Sequence, residues 1–219
     1  MIMMQSDIMT ITMRKNKKTN NWFAKHKKDP FVKKSQKDNY RSRAVYKLIE
    51  INEKYKILAH TEFVIDLGCA PGSWLQYLNE QKNIEKIIGI DVLDIDPIKK
   101  IEFIKGDINN PEVLEKIQLE NKYKAGVVLS DIAPNITGIA DIDQGNFTMI
   151  AKNTMEFCRK MLKEKGFLVM KYFTGSSLTG MQKDLKKYFT KVSVFKPSSS
   201  KKASNEVYLV CNNFKALVS

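Results

Sequence analysis

Cysteines, histidines and long apolar runs are all scarce in this chain of 219 residues. The three cysteines are far apart and form no Cys-x-x-Cys pair, and there are only two histidines. This argues against a disulfide framework and a structural zinc site, and such thiols suit a reducing cytoplasm. No apolar run approaches the roughly 18 residues that a membrane helix needs, so the sequence excludes a membrane-spanning protein. The N-terminus also lacks the continuous apolar segment of a signal peptide.

Acidic residues are few in the first fifth of the chain. Residues 1–47 hold 13 Lys and Arg against 3 Asp and Glu, a net charge of +10, whereas residues 48–219 carry +3 of the total +13. Aromatic side chains are interleaved with this charge: Trp22, Phe23, Phe31, Tyr40 and Tyr46. Such a segment is typical of a nucleic-acid-binding surface. We therefore predict a basic, partly flexible arm over residues 1–38 and one domain over residues 39–219; for residues 1–20 a solvated basic tail is the alternative.

The remaining sequence alternates apolar segments of strand length with amphipathic segments of helical periodicity. The predicted parallel strands have the sequences FVIDLG, KIIGID, IEFIKGD, AGVVLSD and GFLVMKYF, and residues 191–213 are predicted to form two antiparallel strands. Helices are predicted over residues 39–56, 73–81, 111–117, 146–165 and 178–189, and Gly166 is the predicted C-cap of the fourth. This order predicts an α/β fold with a doubly wound, mostly parallel sheet and a terminal antiparallel hairpin.

Polar residues follow the first three predicted strands, at the sheet edge where α/β proteins bind ligands. In DLGCAPGSW, Gly68 and Gly72 permit sharp turns and the close approach of a ligand. Asp91 follows Asp66 by 25 residues and can accept hydrogen bonds from ribose hydroxyls, while Asp107 can accept one from an adenine amine. The glycine spacing differs from the Gly-x-Gly-x-x-Gly pattern of dinucleotide sites, which favours an adenosine ligand without a pyrophosphate over a nicotinamide cofactor.

Motifs spread along the chain carry a family resemblance. RSRAVYKL contains Lys47, SDIAPN contains Asp131, VMKYF contains Lys171 and SNEVYLV contains Glu206. The DxGxxPG pattern looks like motif I of S-adenosylmethionine-dependent methyltransferases. Over nearly the whole predicted domain, the chain resembles the FtsJ-like ribose 2′-O-methyltransferases and is most similar to the compact bacterial members that modify large-subunit ribosomal RNA.

The resemblance implies a Rossmann-like methyltransferase fold with a seven-stranded sheet and S-adenosyl-L-methionine as the cofactor. It implies a catalytic tetrad of Lys47, Asp131, Lys171 and Glu206. It also implies cofactor contacts from Gly68, Gly72, Trp74, Asp91, Asp107 and Asp131. The chain departs from the usual motif at Cys69, where Ala is common, and at Ser73, where Gly is common. Both side chains are small, so we expect cofactor binding to survive, although Ser73 can alter the loop.

The proposed chemistry explains the residue types of the tetrad. Methyl transfer from a sulfonium is an in-line displacement, so the acceptor oxygen must be aligned with the methyl carbon. A ribose hydroxyl is a weak nucleophile until it loses its proton. Lys171 is the candidate that acts on this hydroxyl, either as a neutral base or as a cation that stabilises the developing alkoxide, and the sequence leaves both roles open. No metal is required, because charge is lost from the sulfonium and none is built up on a phosphate.

Basic residues precede two members of the tetrad in the chain, and we expect them to contact RNA phosphates. They are Lys33, Lys34, Lys37, Arg41 and Arg43 before Lys47, and Lys196, Lys201 and Lys202 before Glu206. Phosphate contacts position a protein on RNA without reading its sequence. The choice of one nucleotide would then depend on RNA shape or on the surrounding ribosomal particle.

The expected activity is methylation of a ribose 2′-hydroxyl, of a uridine, in large-subunit (23S) ribosomal RNA. The protein is expected to act in the cytoplasm as a monomer, with the large ribosomal subunit as its partner and without a membrane or a metal, in support of ribosome assembly. A transfer-RNA ribose 2′-O-methyltransferase is the first alternative, because it would use the same tetrad. A non-catalytic RNA-binding assembly factor is the second.

Overall fold

The structure is a computed structural model that describes residues 29–120 and 123–215. Most of the predicted basic arm, including Trp22 and Phe23, lies outside the described residues, and the predictions for residues 1–28 stay predictions. None of the helices within the described ranges has the length and apolarity that crossing a membrane requires.

A seven-stranded mixed sheet forms the centre of the fold. Its strands are β1 (Phe63–Leu67), β2 (Lys86–Asp91), β3 (Glu102–Lys105), β4 (Ala125–Ser130), β5 (Leu162–Phe173), β6 (Phe189–Phe195) and β7 (Glu206–Phe214). They lie in the order β3-β2-β1-β4-β5-β7-β6. Strands β1 to β5 pair in parallel, and β7 lies antiparallel between β5 and β6. The predicted α/β class, the mostly parallel sheet and the terminal antiparallel pair are confirmed.

The strand order creates a crevice beside β1. From β1 the chain adds β2 and β3 on one side, and then returns to place β4 on the other side. At such a switch point the loops that follow neighbouring strands diverge and leave room for a ligand. All five residues of β1 and all six residues of β4 are buried, as the apolar sequences predict for strands covered on both faces.

Helices cover both faces of the sheet. They are α1 (Pro30–Lys37), α2 (Val45–Tyr55), α3 (Ser73–Asn79), α4 (Pro111–Glu120), α5 (Ala140–Met161) and α6 (Leu178–Leu185). Apolar side chains of α4, α5 and α6 pack on one face, and those of α2 and α3 pack on the other. The helices expected after the first, third and fifth strands are therefore present, and Pro111 is at a helix start as predicted.

Helix α1 is a feature that the sequence analysis missed. The Asp29 carboxylate accepts a hydrogen bond from the Phe31 N–H at 2.9 Å, and Pro30 occupies the first turn, where its missing N–H has no cost. Val32 is buried against the domain. These short-range signals were present in the sequence, but the basic composition favoured an arm.

The ends of three helices differ from the predicted ones. Helix α2 begins at Val45 rather than near residue 39, and α6 ends at Leu185, before the predicted residue 189. Helix α5 spans Ala140–Met161 rather than residues 146–165. Gly166 is not a C-cap but lies within β5, because the extended residue Leu162 already pairs with β4 and is buried in the core.

Candidate active site

A cavity of about 600 Å³ lies at the carboxyl ends of β1, β2, β3 and β4. Four of the predicted cofactor-binding residues line it: Gly68, Asp91, Asp107 and Asp131. Its other lining residues include apolar side chains of Ile90, Val92, Leu93 and Ile132 and the amide of Asn153 on α5. The strand-end pattern thus located this cavity from the sequence, whereas Asn153 gave no recognisable signal, because a lone Asn on a long helix is usually a surface residue.

Gly68 keeps the loops after β1 and β4 in close contact. Its φ of +72° is in the left-handed region that glycine favours. A Cβ atom at this position would lie 2.6 Å from Cγ1 of Ile132 and about 3.1 Å from the Ile132 backbone. Any larger residue would therefore have to push the β4 loop away from the cavity that both loops line.

Asp91, at the end of β2, holds the backbone segments that follow β1 and β2. Its Oδ2 accepts a hydrogen bond from the Ala70 N–H at 2.8 Å, and its Oδ1 accepts one from the Leu93 N–H at 2.9 Å. Each carboxylate oxygen has two lone pairs, so both retain an acceptor site for a ligand hydroxyl. Asp91 thereby fixes two backbone segments of the cavity wall and keeps acceptor capacity toward its interior.

Gly72 and Trp74 do not line the cavity. Gly72 is the N-cap of α3, with a φ of +101°, and a Cβ atom there would lie 2.8 Å from Nη1 of Arg41. The Trp74 indole is buried, donates a hydrogen bond to the Ala44 carbonyl at 2.8 Å and packs near Tyr208, with ring centroids 6.0 Å apart. In this structure, both residues connect the glycine-containing loop to the segment that leads into α2.

The two departures from the motif have local explanations. The Ser73 hydroxyl is 2.8 Å from the Ser42 hydroxyl, which adds a hydrogen bond between the start of α3 and the same segment before α2. Cys69 is buried, and burial together with Asp66 and Asp91 raises the pKa of its thiol far above the usual range. Cys69 is therefore a neutral packing residue within the glycine-containing loop.

The predicted tetrad forms two ion pairs. Lys171 Nζ is 3.2 Å from Oδ1 of Asp131 and also donates a hydrogen bond to the Asp131 carbonyl. Lys47 Nζ is 2.7 Å from Oε1 and 2.9 Å from Oε2 of Glu206. The exposed fraction of the side chain is 8% for Lys171, 13% for Lys47 and 12% for Glu206. Solvent therefore screens these ion pairs weakly.

Tyr208 joins the two pairs, and the sequence analysis missed it. Its hydroxyl donates a 2.7 Å hydrogen bond to Oδ1 of Asp131, and Lys47 Nζ lies 5.8 Å from its ring centroid. Burial, then Asp131 and Glu206, raise the pKa of Tyr208, which keeps the hydroxyl protonated as a donor. Strand alternation was an available signal, because residues 206 and 208 of one strand share a face. Tyr208 is moreover the register partner of Lys171.

Asp66 is buried beneath this site. Its exposed fraction is 1%, and neither carboxyl oxygen has a hydrogen-bond partner within the described residues. Burial, then the charges of Asp131 and Asp91, raise the pKa of Asp66 well above its ordinary value. The Asp66 carboxyl is therefore harder to ionise than an ordinary aspartate.

The basic residues expected to bind phosphate separate into two groups. Arg41 donates hydrogen bonds to the carbonyls of Pro71 at 2.9 Å and Pro97 at 3.4 Å, and Arg43 contacts Asp29 and the Ser199 carbonyl. These two arginines hold loops of the protein itself. The lysines are exposed, and one of them, Lys196, also donates a hydrogen bond to the Ser204 carbonyl at 2.8 Å. The exposed lysines are Lys33, Lys34, Lys37, Lys196, Lys201 and Lys202.

Comparison with known protein families shows which family the chain belongs to. The model of the FtsJ-like methyltransferase family matches residues 40–214, a range that contains the cavity and all four tetrad residues. The chain belongs to the FtsJ-like methyltransferase family. It is therefore a methyltransferase, as the sequence resemblance implied, and the match begins after the predicted arm, residues 1–38.

Individual relatives agree with this family. The ribosomal RNA large subunit methyltransferase E of Pelagibacter ubique is 44% identical over 91% of this chain and 98% of its own length. The protein of the same name from Marinobacter nauticus is 40% identical over 93% of this chain and 99% of its own. A crystal structure of a ribosomal RNA methyltransferase from Plasmodium falciparum superimposes with a TM-score of 0.73 at 36% identity, covering 80% of this chain and 98% of that one.

Metal chemistry has no evident site in the described part of the chain. Within residues 29–120 and 123–215, no group of three or more His, Cys, Asp and Glu side chains is arranged to hold a metal ion. The carboxylates of the cavity belong to separate strand ends and are held by N–H, ammonium and hydroxyl donors instead.

Proposed function

We propose that this methyltransferase transfers a methyl group from S-adenosyl-L-methionine to the ribose 2′-hydroxyl of a uridine in 23S ribosomal RNA. The observation that carries the proposal is the meeting of the Lys171–Asp131 and Lys47–Glu206 pairs on Tyr208, beside the cavity that Asp131 lines. The names of the relatives support ribosomal RNA as the substrate. We further propose that the enzyme acts as a monomer in the cytoplasm, with the large ribosomal subunit as its partner.

The cavity fits an adenosine-bearing sulfonium cofactor. Its volume is in the range of small-molecule sites, and its described lining residues include three aspartates and no Lys or Arg, which suits a cationic ligand. Asp91 and Asp107 can accept hydrogen bonds from ribose hydroxyls and an adenine amine, between apolar walls. When bound, the cofactor supplies an electrophilic methyl group.

The chain's own residues supply orientation and proton handling. Lys171 Nζ meets the 2′-hydroxyl. As a neutral amine it would accept the hydroxyl proton while the new O–C bond forms and the S–C bond of the sulfonium breaks; as an ammonium it would stabilise the developing alkoxide while the proton leaves to solvent. Asp131 holds the Lys171 amino group, and the Tyr208 hydroxyl holds Asp131. Lys47 and Glu206 neutralise each other's charge beside it. Positioning an acceptor oxygen in line with a methyl carbon can lower the barrier by about 7–11 kcal/mol in favourable cases, so alignment is a large part of the work.

Transfer of a labelled methyl group to RNA tests the function directly. The substrates are naked 23S RNA, large subunits from cells that lack the gene, and transfer RNA. We expect incorporation into the first or second, and a 2′-O-methyluridine in the ribose-methylation map of 23S RNA that disappears without the gene. Incorporation into transfer RNA alone would favour the alternative substrate, and RNA binding without any transfer would favour a non-catalytic assembly factor.

Replacing Asp91 with alanine tests the cofactor site. We expect the cofactor dissociation constant to rise by about 10- to 100-fold, because a charged hydrogen-bond acceptor is lost and the Ala70 and Leu93 N–H groups are released. The measurement is isothermal calorimetry. Asp94→Ala is the matched control, since Asp94 follows on the same loop, is exposed and pairs with Lys105 outside the cavity. An unchanged dissociation constant for Asp91→Ala would count against this role.

A further inference from the structure

Glu50 of α2 and Arg43, two residues before the helix, contact the loop between β6 and β7. Glu50 is one turn after Lys47 on this helix. Its Oε2 accepts a hydrogen bond from the Ser198 N–H at 2.6 Å, and its Oε1 accepts one from the Ser199 N–H at 2.9 Å. Neither residue is near Glu50 in sequence, so this contact ties the loop to the helix that carries Lys47.

The loop segment that Glu50 binds is a tight turn. The Ser200 N–H donates to the Pro197 carbonyl at 3.0 Å, and the Ser199 carbonyl accepts a hydrogen bond from Arg43. Ser199 and Ser200 are both buried, although they belong to a serine- and lysine-rich loop. Both polar edges of the turn are therefore held by charged side chains from the α2 side.

The turn ends on the tetrad. The Ser200 hydroxyl donates a 2.9 Å hydrogen bond to Oε1 of Glu206, the same oxygen that is 2.7 Å from Lys47 Nζ. A continuous path thus runs from Glu50 through two backbone N–H groups and the Ser200 hydroxyl to the Lys47–Glu206 pair. Glu50 and Lys47, at the two ends of this path, both belong to α2, so the contacts form a closed ring.

The chemistry at Glu50 requires a carboxylate. Here each of the two N–H groups donates to a different carboxylate oxygen, and an amide in the same position would turn a donor toward one of them. Burial alone would raise the pKa of Glu50, but the hydrogen bonds from Ser199 and Ser198 outweigh it and hold the pKa below its ordinary value. The carboxylate is therefore charged at neutral pH.

We infer that Glu50 is a positioning residue for methyl transfer, which holds the 197–200 turn so that Ser200 can orient Glu206 toward Lys47. This inference rests on the proposed function and adds to it a residue outside the tetrad. Glu50 does not line the cofactor cavity. It therefore acts on the acceptor side of the site and leaves the cofactor side alone.

Double-mutant kinetics with Glu50→Gln and Ser200→Ala test the relay. We expect each single variant to lower kcat by about 10- to 100-fold, the cost of a small misplacement, with an unchanged KM for the cofactor. The double variant should be no slower than the slower single one, because both changes break the same path. Glu53→Gln, the same change on an exposed position of α2, should keep the kcat of the unmodified enzyme.

Four results would each overturn the inference. An unchanged kcat in Glu50→Gln would overturn it. An unchanged kcat in Ser200→Ala would also overturn it. Because Ser200→Ala keeps the backbone contacts of the turn, this variant tests the inference even if Glu50→Gln does not fold. Multiplying losses in the double variant would show that the two residues act separately. Should the unmodified enzyme transfer no methyl group, the proposed function fails. In that case, amide hydrogen exchange at residues 197–200 tests the contact between Glu50 and the turn. Exchange should be faster in Glu50→Gln than in the unmodified protein, and unchanged in Glu53→Gln. An unchanged exchange rate in Glu50→Gln rejects the inference.

Discussion

Replacing Lys171 with alanine is expected to slow methyl transfer by about 10²–10⁴-fold, the range found when a positioned acid–base group is removed. The Lys171 ammonium is the buried member of its ion pair, next to the Asp131 carboxylate that lines the cavity. No neighbouring ammonium can replace it, because Lys47 is held by both oxygens of Glu206. Cofactor binding should change little, since Lys171 does not line the cavity.

Two measurements check this expectation. Single-turnover kinetics with saturating cofactor report the chemical step, and calorimetry reports cofactor affinity. Lys191→Ala is the matched control, because it removes an exposed lysine from β6, the strand beyond β7. Turnover near that of the unmodified enzyme in Lys171→Ala would refute the assigned role. A loss that appears only in cofactor affinity would move Lys171 from the chemistry to the binding site.

Replacing Asp66 with asparagine is expected to stabilise the protein increasingly as the pH rises. In the unfolded chain this carboxyl ionises above about pH 3.9, whereas in the folded protein burial, Asp131 and Asp91 raise the pKa of Asp66, so it stays protonated to a higher pH. The unfolded state then binds fewer protons than the folded one, so rising pH favours unfolding. The asparagine side chain has nearly the same shape and does not titrate.

The size of the effect follows from proton linkage. The stability gained by Asp66→Asn should grow by about 1.4 kcal/mol for each pH unit, from about pH 4 up to the folded pKa of Asp66. Urea unfolding of the cofactor-free protein at about pH 5 and about pH 7 measures this difference. Asp96→Asn, a change at an exposed position, should show no such trend. Parallel pH profiles for Asp66→Asn and the unmodified protein would mean that Asp66 is ionised in the folded state.

Sequence periodicity predicted the sheet well and the helix boundaries poorly. The strands β1 and β4 are mostly apolar, as expected for strands covered on both faces, and this signal is local. The end of α5 is not local. Leu162 has ordinary helical periodicity, but its pairing with Ala125 of β4 draws it into the sheet and leaves Gly166 inside β5. Partners from another strand overrode the local C-cap signal.

The candidate site divides in a similar way. Asp91, Asp107 and Asp131 were found because parallel strands bring their carboxyl ends to one edge, so position along the chain translates into position in space. Tyr208 and Glu50 were not found, because their roles depend on antiparallel register and on a long loop folding onto α2. Neither contact leaves a pattern in the neighbouring residues.

By itself, the sequence determined the α/β class and the strand ends that line the cavity, and it predicted the four residues of the proposed tetrad. Alternation and strand order are properties of neighbouring residues, and a family motif keeps its spacing whatever surrounds it. Only the tertiary structure decided how the tetrad is paired, that Tyr208 connects the pairs, and that Arg41 and Arg43 hold loops of the protein itself. Those outcomes depend on which atoms come within about 3 Å of each other, and side chains far apart in the chain reach such distances only after packing fixes them.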